Sequence, residues 1–355
     1  MVLPVLEQGD PVVSVIIPVF NTKAYLGECL DSLMTQTLRE IEVICVDNGS
    51  TDGSYELLRD YAKHHTNMIV MRHPEGRQGG ARNVGIERAK GLHIGFVDSD
   101  DFVSPDMFRV MHEAAQANRA DVVICNIQTY YEDKGPCDYS LPGDLMMATE
   151  PFSIQQRPRL LRNLTICNRL FSREIVEKHQ LRFPEGVFHQ DQFFVIAALA
   201  SAQRIVTVPD ALYFYRKKRA GSVSEYRGND SLHVFHVWQR VSDFVEANGM
   251  QTPLRLLVNE ARAVKYLHTY RSADKSQRQY FKRMKREFQS MELKADPSIL
   301  SPSERREFQI VLRYGHMHYN LFLLLRSIYG WLRGRVTKLG LLGSPKMTSP
   351  TGESA

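Results

Sequence analysis

One run decides most of what this chain can fold into. From Val12 to Val19 the sequence reads VVSVIIPV, apolar on both alternations and rich in β-branched residues. That is too continuous for a strand with one wet face and right for one covered on both, which is how central parallel strands are buried. After Asn21, Leu26, Leu30, Leu33 and Met34 recur at helical spacing, and a short apolar strand, Glu42 to Val46, then ends at Asp47. A strand, a helix and a second strand of this kind make a βαβ unit.

The alternation continues. A helix is expected from Gly53 to His65, a strand from Met68 to Met71, a helix from about Ala81 to Lys90 stopped by Gly91, and a strand from His93 to Val97 ending at Asp98. Ser104 and Pro105 read as the N-cap and first position of a helix running to about Asn118, before a strand from Asp121 to Cys125. The first 125 or so residues are therefore doubly wound. Ligands of such sheets bind at the carboxyl ends of the strands, because the crossover helices cover both faces. Asp47 and Asp98 both stand at strand ends. The stretch from Tyr130 to about Pro158 loosens into a surface excursion. Apolar periodicity returns at Asp191 to Leu199, with strands at Arg204 to Val208 and Leu212 to Tyr215, and from about Ser231 onward only helical patterns remain.

With 355 residues and 43% hydrophobic content, the chain has material for one large α/β domain plus a smaller appendage. Its five cysteines, Cys29, Cys45, Cys125, Cys137 and Cys167, form no close pairs of the kind that bind zinc or make a redox motif. They read as reduced, mostly buried thiols of a cytosolic protein. Met1 to Asp10 carries neither a basic residue nor an apolar run of leader length, and no uninterrupted apolar stretch is long enough to span a bilayer. The expected location is the cytoplasm. The net charge of +5 is modest and gathers late in the chain, and no nucleic-acid partner is expected.

The segment that carries most chemistry is Asp98-Ser99-Asp100-Asp101, directly after the strand ending in Phe96 and Val97. In extended backbone, residues i and i+2 project to one side, so Asp98 and Asp100 can face one ligand together while Ser99 points away. Two such carboxylates suit a hard divalent cation that completes its shell with substrate phosphates and water. The plain alternative is an acidic turn capping the next helix.

The runs PVFN at Pro18 to Asn21, VDNGSTD at Val46 to Asp52, ARNVG at Ala81 to Gly85 and DSDD at Asp98 to Asp101 stand in an order and spacing that resembles the inverting family 2 glycosyltransferases of bacterial surface-polysaccharide type. The resemblance covers roughly Pro11 to Asn126. It implies an α/β protein of the GT-A nucleotide-sugar-binding fold, with a doubly wound, mostly parallel sheet and a C-terminal helical extension. The implied division is an N-terminal tail at 1–10, a catalytic domain at 11–225 whose halves meet at 126/127, a helical basic region at 226–340 and a tail at 341–355. The implied activity is transfer of a sugar from a nucleotide-sugar, a UDP-sugar first, to a glycan or polyprenyl-linked acceptor hydroxyl.

Position by position, the resemblance places Pro18, Phe20 and Asn21 in the nucleoside pocket and Asp47 on the uracil edge, with Arg77, Arg82 and Ser99 near the nucleotide. Asp98 would bind the ribose and stand beside Asp100, which would hold Mn²⁺ or Mg²⁺ on the diphosphate. Asn48 stands where many relatives have a second aspartate, and Arg77 where glycine is frequent. Each residue has a plainer reading as well: Asp47 could start a turn, Arg82 could be a solvated helical arginine, and Asn21 an N-cap.

Further on, Asn168-Arg169-Leu170-Phe171 resembles a motif near the acceptor side, and His189-Gln190-Asp191 falls where relatives carry an acidic pair whose second member is the catalytic base. Asp191 would then be that base, or else the N-cap of a helix beginning at Gln192. Tyr213, Tyr215, Arg216, Arg219 and Ser222 resemble the family's YxYR segment with its following serine, which offers Arg216 or Arg219 to the phosphates.

Between Phe308 and Gly352 there is no acidic residue, yet Arg313, Arg326, Arg333, Arg335, Lys338 and Lys346 are interleaved with aromatic and aliphatic side chains. This mixture suits a helix lying at an inner-membrane surface, or a C-terminal helix packed on the domain with its arginines snorkelling. A dinucleotide-binding dehydrogenase is disfavoured, since the glycines at 76, 79, 80 and 85 do not form GxGxxG after the first strand. A sugar nucleotidyltransferase would show a Gly-rich basic loop where this chain has PVFNTKAYL. A non-catalytic relative that binds nucleotide or carbohydrate remains the alternative from another class.

Overall fold

A computed structural model describes residues 10–74, 77–131, 133, 135–137, 146, 150–217, 229–250, 252–272, 277–294 and 298–338. The opening apolar run forms β1 (Val13–Val19), buried at every position. It lies between β2 (Ile41–Asp47) and β4 (His93–Phe96), parallel to both, and β2 pairs in parallel with β3 (Met68–Arg72). Helices α1 (Lys23–Met34), α2 (Ser54–His64) and α3 (Arg77–Arg88) make the crossovers. α1 turns Leu26, Cys29, Leu30 and Leu33 onto the sheet, as the helical spacing requires.

With β5 (Phe102–Val103), β6 (Val122–Tyr131), β8 (Arg169–Ser172) and β9 (Ile205–Arg216), the sheet runs β3-β2-β1-β4-β8-β6-β9-β5, and β7 (Gly135–Cys137) pairs with the end of β6. β8 inserts between β4 and β6, antiparallel to both. β6 then pairs in parallel with the long β9, and the two-residue β5 closes that end. The strands expected at Arg204 to Val208 and Leu212 to Tyr215 are thus one element.

Two helix starts differ from expectation. α3 begins at Arg77, four residues before Ala81, because Gly79 and Gly80 fit beneath the chain at Pro184 and against His73, where a side chain has no room. α4 (Met107–Asn118) begins after Ser104 and Pro105, which form the turn leading into it; Asp106 occupies the cap position.

Between β8 and β9 lie α5 (Arg173–Lys178) and α6 (Gln190–Ser201), and beyond β9 the described chain is helical. α7 (His233–Ala247), α8 (Thr252–Ser272), α9 (Gln277–Gln289), α10 (Pro302–Arg313) and α11 (His316–Lys338) form the appendage. The appendage shares one hydrophobic core with the sheet. Fully buried Trp238 of α7 donates its indole N–H to Gln192 Oε1 of α6 at 2.9 Å. Arg162 forks onto Glu304 of α10 at 2.8 and 3.0 Å, and Ser301 and Glu304 form a reciprocal capping box.

On α10, Glu307 is fully buried and takes Arg271 at 2.6 Å, the Tyr319 hydroxyl at 3.0 Å and Arg326. One face of α11 is therefore packed on the appendage, and Arg326, its side chain 45% exposed, reaches Glu307. The opposite face is exposed, and no described helix is long and apolar enough to cross a membrane.

Candidate active site

The strand ends converge as expected, and the structure gives each motif a specific mechanical task. Past β1, Asn21 adopts positive φ and accepts the Thr51 N–H at 2.9 Å, which ties the PVFN turn to the VDNGSTD turn. Pro18 is buried in β1, while Phe20 stands 53% exposed at the mouth of the cleft, an apolar ring open to a ligand.

Asp47 holds the turn that follows β2. Its carboxylate is fully buried and accepts Gly49 N–H at 3.1 Å, Ser50 N–H at 3.2 Å and Arg72 Nε at 3.2 Å. A carboxylate so placed organises the turn through its own backbone and Arg72. The next residue, Asn48, is 8% exposed, and its amide oxygen finds no partner among the described residues. A buried amide left unpaired is costly unless a ligand or water completes it. Asn48 is thus a further candidate to meet a base.

In the ARNVG motif, Gly85 lets α3 approach β1 so closely that a Cβ would stand 2.3 Å from Ile16 Cγ2. Asn83 clamps the 183–185 segment, donating to Phe183 O at 3.0 Å and accepting Phe183 N–H at 2.8 Å. Arg82 is not the solvated arginine of the plainer reading: it is 3% exposed, donates Nη2 to Asp98 Oδ1 at 2.6 Å and passes over the Phe183 ring. Its Nη1 donates to the Gln190 amide oxygen at 3.1 Å when that amide also donates to Val187 O at 2.9 Å. Arg77 is exposed at the head of α3, with its guanidinium over the Phe188 ring at 5.3 Å.

The DSDD segment is a turn rather than extended chain: β4 ends at Phe96, and Asp101 N–H donates to Asp98 O at 3.0 Å. Side chains nonetheless segregate. Asp98 and Asp100 are partly exposed; Ser99 is buried and accepts the Thr22 hydroxyl at 2.9 Å, so it supports the turn instead of touching a nucleotide. Asp101 turns fully inward, accepting the Tyr213 hydroxyl at 2.5 Å and Arg216 N–H at 2.8 Å. Burial, then the Asp100 and Asp98 charges, push its carboxyl well above the usual range.

No described group of three or more His, Cys, Asp or Glu residues could hold a metal by itself. The crowded turn, with two partly exposed carboxylates, instead fits a Mg²⁺- or Mn²⁺-type ion that takes most of its ligands from phosphates and water.

Arg216 is not free to clamp phosphates. Its guanidinium is held by Glu28 and the Asp100 carbonyl, the latter at 3.0 Å, and lies 5.1 to 5.5 Å from the Tyr25, Phe102 and Tyr130 ring centres. It fixes the acidic turn from behind. Arg219 and Ser222 lie outside the described residues.

Asp191 sits one position inside α6, whose cap position is His189, so it is not the cap of a helix starting at Gln192. Burial pushes its carboxyl up, and Arg82 and Lys265 pull it partly back. Lys265 comes from α8, and sequence reasoning passed it over because nothing local links it to Asp191. Beside them His189 is pushed down to about 4 by burial and by Lys265, His233 and His268. Arg169 of β8 is fully buried and pushed down to about 10 by burial, donating to Asn168 Oδ1 and Asn163 O. The Asn168-Arg169 pair therefore braces the sheet beneath the site. Cys29, Cys45, Cys125 and Cys167 are free and buried, as expected; the Cys137 side chain lies outside the described residues.

Residues 14–180 match the sequence model of glycosyl transferase family 2. The chain is 34% identical over 218 residues to the glycosyltransferase EpsJ of Bacillus subtilis, an alignment covering 58% of this chain and 61% of EpsJ's own length. It is 32% identical over 258 residues to the glycosyltransferase GlyG of Streptococcus pneumoniae, covering 69% of this chain and 84% of GlyG. Among solved structures, residues 1–349 of S. aureus TarS in complex with UDP-GlcNAc superpose with a TM-score of 0.70 at 20% identity, covering 86% of this chain and 89% of that one. That likeness shows the GT-A fold. Together with the motifs ordered along the strand ends, these matches show that the chain belongs to glycosyl transferase family 2.

Proposed function

We propose that the chain is an inverting glycosyltransferase moving a sugar from a nucleotide-sugar, a UDP-sugar first, to a hydroxyl of a glycan or polyprenyl-linked acceptor in bacterial surface-polysaccharide synthesis. The observation that carries this reading is the position of Arg82. One guanidinium donates to Asp98 on the acidic turn, and its charge also acts on Asp191, so the carboxylates suited to donor and acceptor share one wall. The names of the relatives support the same class: EpsJ and GlyG are glycosyltransferases, and TarS is described with UDP-GlcNAc.

On this reading the base rests in the cleft against Phe20 and Asn48, with Arg77 at its rim. Asp98, oriented by Arg82, accepts from the ribose. Asp100, with Asp98 beside it, would hold Mn²⁺ or Mg²⁺, which when bound would neutralise charge growing on the leaving diphosphate. Asp191 takes the acceptor-hydroxyl proton as the oxygen attacks the anomeric carbon from the face opposite the diphosphate, and the carbon–diphosphate bond breaks. Burial makes Asp191 a stronger base than an ordinary surface carboxylate, while the Arg82 and Lys265 charges favour its ionised form. The reaction would be placed at the cytoplasmic face of the inner membrane.

A thermal-shift screen with UDP-, GDP- and TDP-sugars in Mn²⁺, followed by transfer or donor hydrolysis on the stabilising sugar, tests the reading. Stabilisation by one nucleotide class together with turnover is expected. Binding without turnover would make the chain a nucleotide-sugar-binding relative, and no stabilisation by any of them would sink the donor assignment.

A further inference from the structure

One buried ring sits where the two halves of the site meet. Phe183 is 2% exposed, in the segment that leads into α6. Asn83 of α3 holds its backbone on both sides, accepting its N–H at 2.8 Å and donating to its carbonyl at 3.0 Å. The ring stacks on Phe194 at 4.5 Å with the planes 6° apart, and meets Phe96, the last residue of β4, edge-on at 5.3 Å. Phe194 stands on α6 three residues after Asp191, and Phe96 stands two residues before Asp98. The ring therefore packs between the strand end that carries the acidic turn and the helix that carries the candidate base.

The same ring lies under Arg82. The guanidinium carbon is 5.4 Å from the ring centre, in a side chain that is nearly all buried. Its Nη2 reaches Asp98 at 2.6 Å, while its Nε has no partner among the described residues. A buried guanidinium with an unpaired Nε is not oriented by hydrogen bonds alone, and a flat aromatic face against it sets the plane in which its arms point. That plane matters at both carboxylates. Arg82 pairs with Asp98, and its charge also acts on Asp191, which meets the charges of Lys265 from α8, Arg169 from β8 and Asp98 as well.

We propose that Phe183 is a positioning residue, whose ring holds the Arg82 guanidinium in the orientation that presents Asp98 to the donor and keeps the Arg82 charge beside Asp191. The inference rests on the glycosyltransferase reading above and adds to it a residue that acts through Arg82. Phe194 supplies an internal control. It shares the stack with Phe183 but makes no ring contact with the Arg82 guanidinium among the described residues, and the Asn83 clamp holds Phe183 independently of it.

Calorimetry of the full-length chain in Mn²⁺ with UDP, or with GDP or TDP where the thermal-shift screen selects it, tests this without requiring turnover. Phe183→Leu keeps an apolar side chain and removes the aromatic face, so nucleotide affinity should fall roughly 3- to 30-fold, the range that cation–π contacts span. Phe194→Leu trims the other side of the same stack and should lower Tm at least as much while leaving nucleotide affinity unchanged. In transfer assays the acid limb of kcat/KM should move to higher pH in Phe183→Leu alone, because a displaced Arg82 no longer favours ionised Asp191. Should Phe183→Leu fail to fold, Phe183→Met makes the same comparison with a longer apolar side chain. Parental nucleotide affinity in a folded Phe183 variant overturns the inference, as does an equal loss in Phe194→Leu, which would reduce Phe183 to core packing. A parent chain that binds none of the nucleotides would bring down the donor reading itself, and this inference with it.

Discussion

Replacing Asp191 by Asn keeps the side chain's shape and removes its basic lone pair. Asp191 lies in the first turn of α6, where a carboxylate favours the helix dipole by roughly 0.3–1 kcal/mol, but burial opposes the charge and offsets part of that gain. The net stability change is therefore under about 1 kcal/mol, a shift of only a few degrees in Tm for a chain of this size. Catalysis should respond on another scale. Loss of a general base costs roughly 10²- to 10⁴-fold, about 3 to 5 kcal/mol of barrier. Transfer from the UDP-sugar would be measured in Mn²⁺, with donor affinity by calorimetry and Tm by scanning fluorimetry. The expected pattern is a collapse of kcat with donor affinity and Tm preserved. An Asp191→Asn enzyme with near-parental kcat would refute the base assignment, and a parallel loss of donor affinity would move Asp191 into the donor site.

Lys265→Met removes a cation that favours ionised Asp191; a base works only when deprotonated, so the acid limb of kcat/KM should move to higher pH, Lys265→Arg should restore it, and an unmoved limb would refute the coupling. Asp100→Ala should abolish the Mn²⁺-dependent part of UDP affinity and leave Tm unchanged, because its side chain is partly exposed; calorimetry with and without chelator decides, and an unchanged chelator response sinks the ligand role. Gly85→Ala would place a Cβ 2.3 Å from Ile16 Cγ2 and should destabilise by about 1–3 kcal/mol in urea unfolding, so an unaltered midpoint would show that α3 and β1 separate at no cost.

The positions of Phe20, Asn21 and Asp98 just past β1 and β4 were legible because strand ends in a doubly wound sheet are fixed by local patterns: a continuous apolar run, its length, and the first polar residue after it. The Asp98 and Asp100 pairing was read from extended-chain geometry, yet it arises from a turn, since β4 stops at Phe96 and the Asp101 N–H closes back on the Asp98 carbonyl. Both side chains stand partly exposed, by a different backbone route from the one read in the sequence. For Arg216 and Asp47 the residue was right to single out and its task was not visible, because which partner saturates a buried charge depends on chain far away in sequence: Glu28 for one and Arg72 for the other.

The sequence by itself determined the alternation of β1 to β4 with α1 to α3, the positions of the acidic segments, and the presence of a basic helical end, because each depends on neighbours within a turn or a strand. Tertiary structure alone decided that β8 inserts antiparallel into the sheet, that Arg82 pairs with Asp98 and lies near Asp191, that the charge of Lys265 in the appendage acts on Asp191, and that α11 sets Arg326 on Glu307 and five apolar side chains out. The physical reason is range. Hydrophobic periodicity is a local property of the chain, whereas hydrogen-bond saturation, charge pairing and burial are settled only when distant segments compete for the same space.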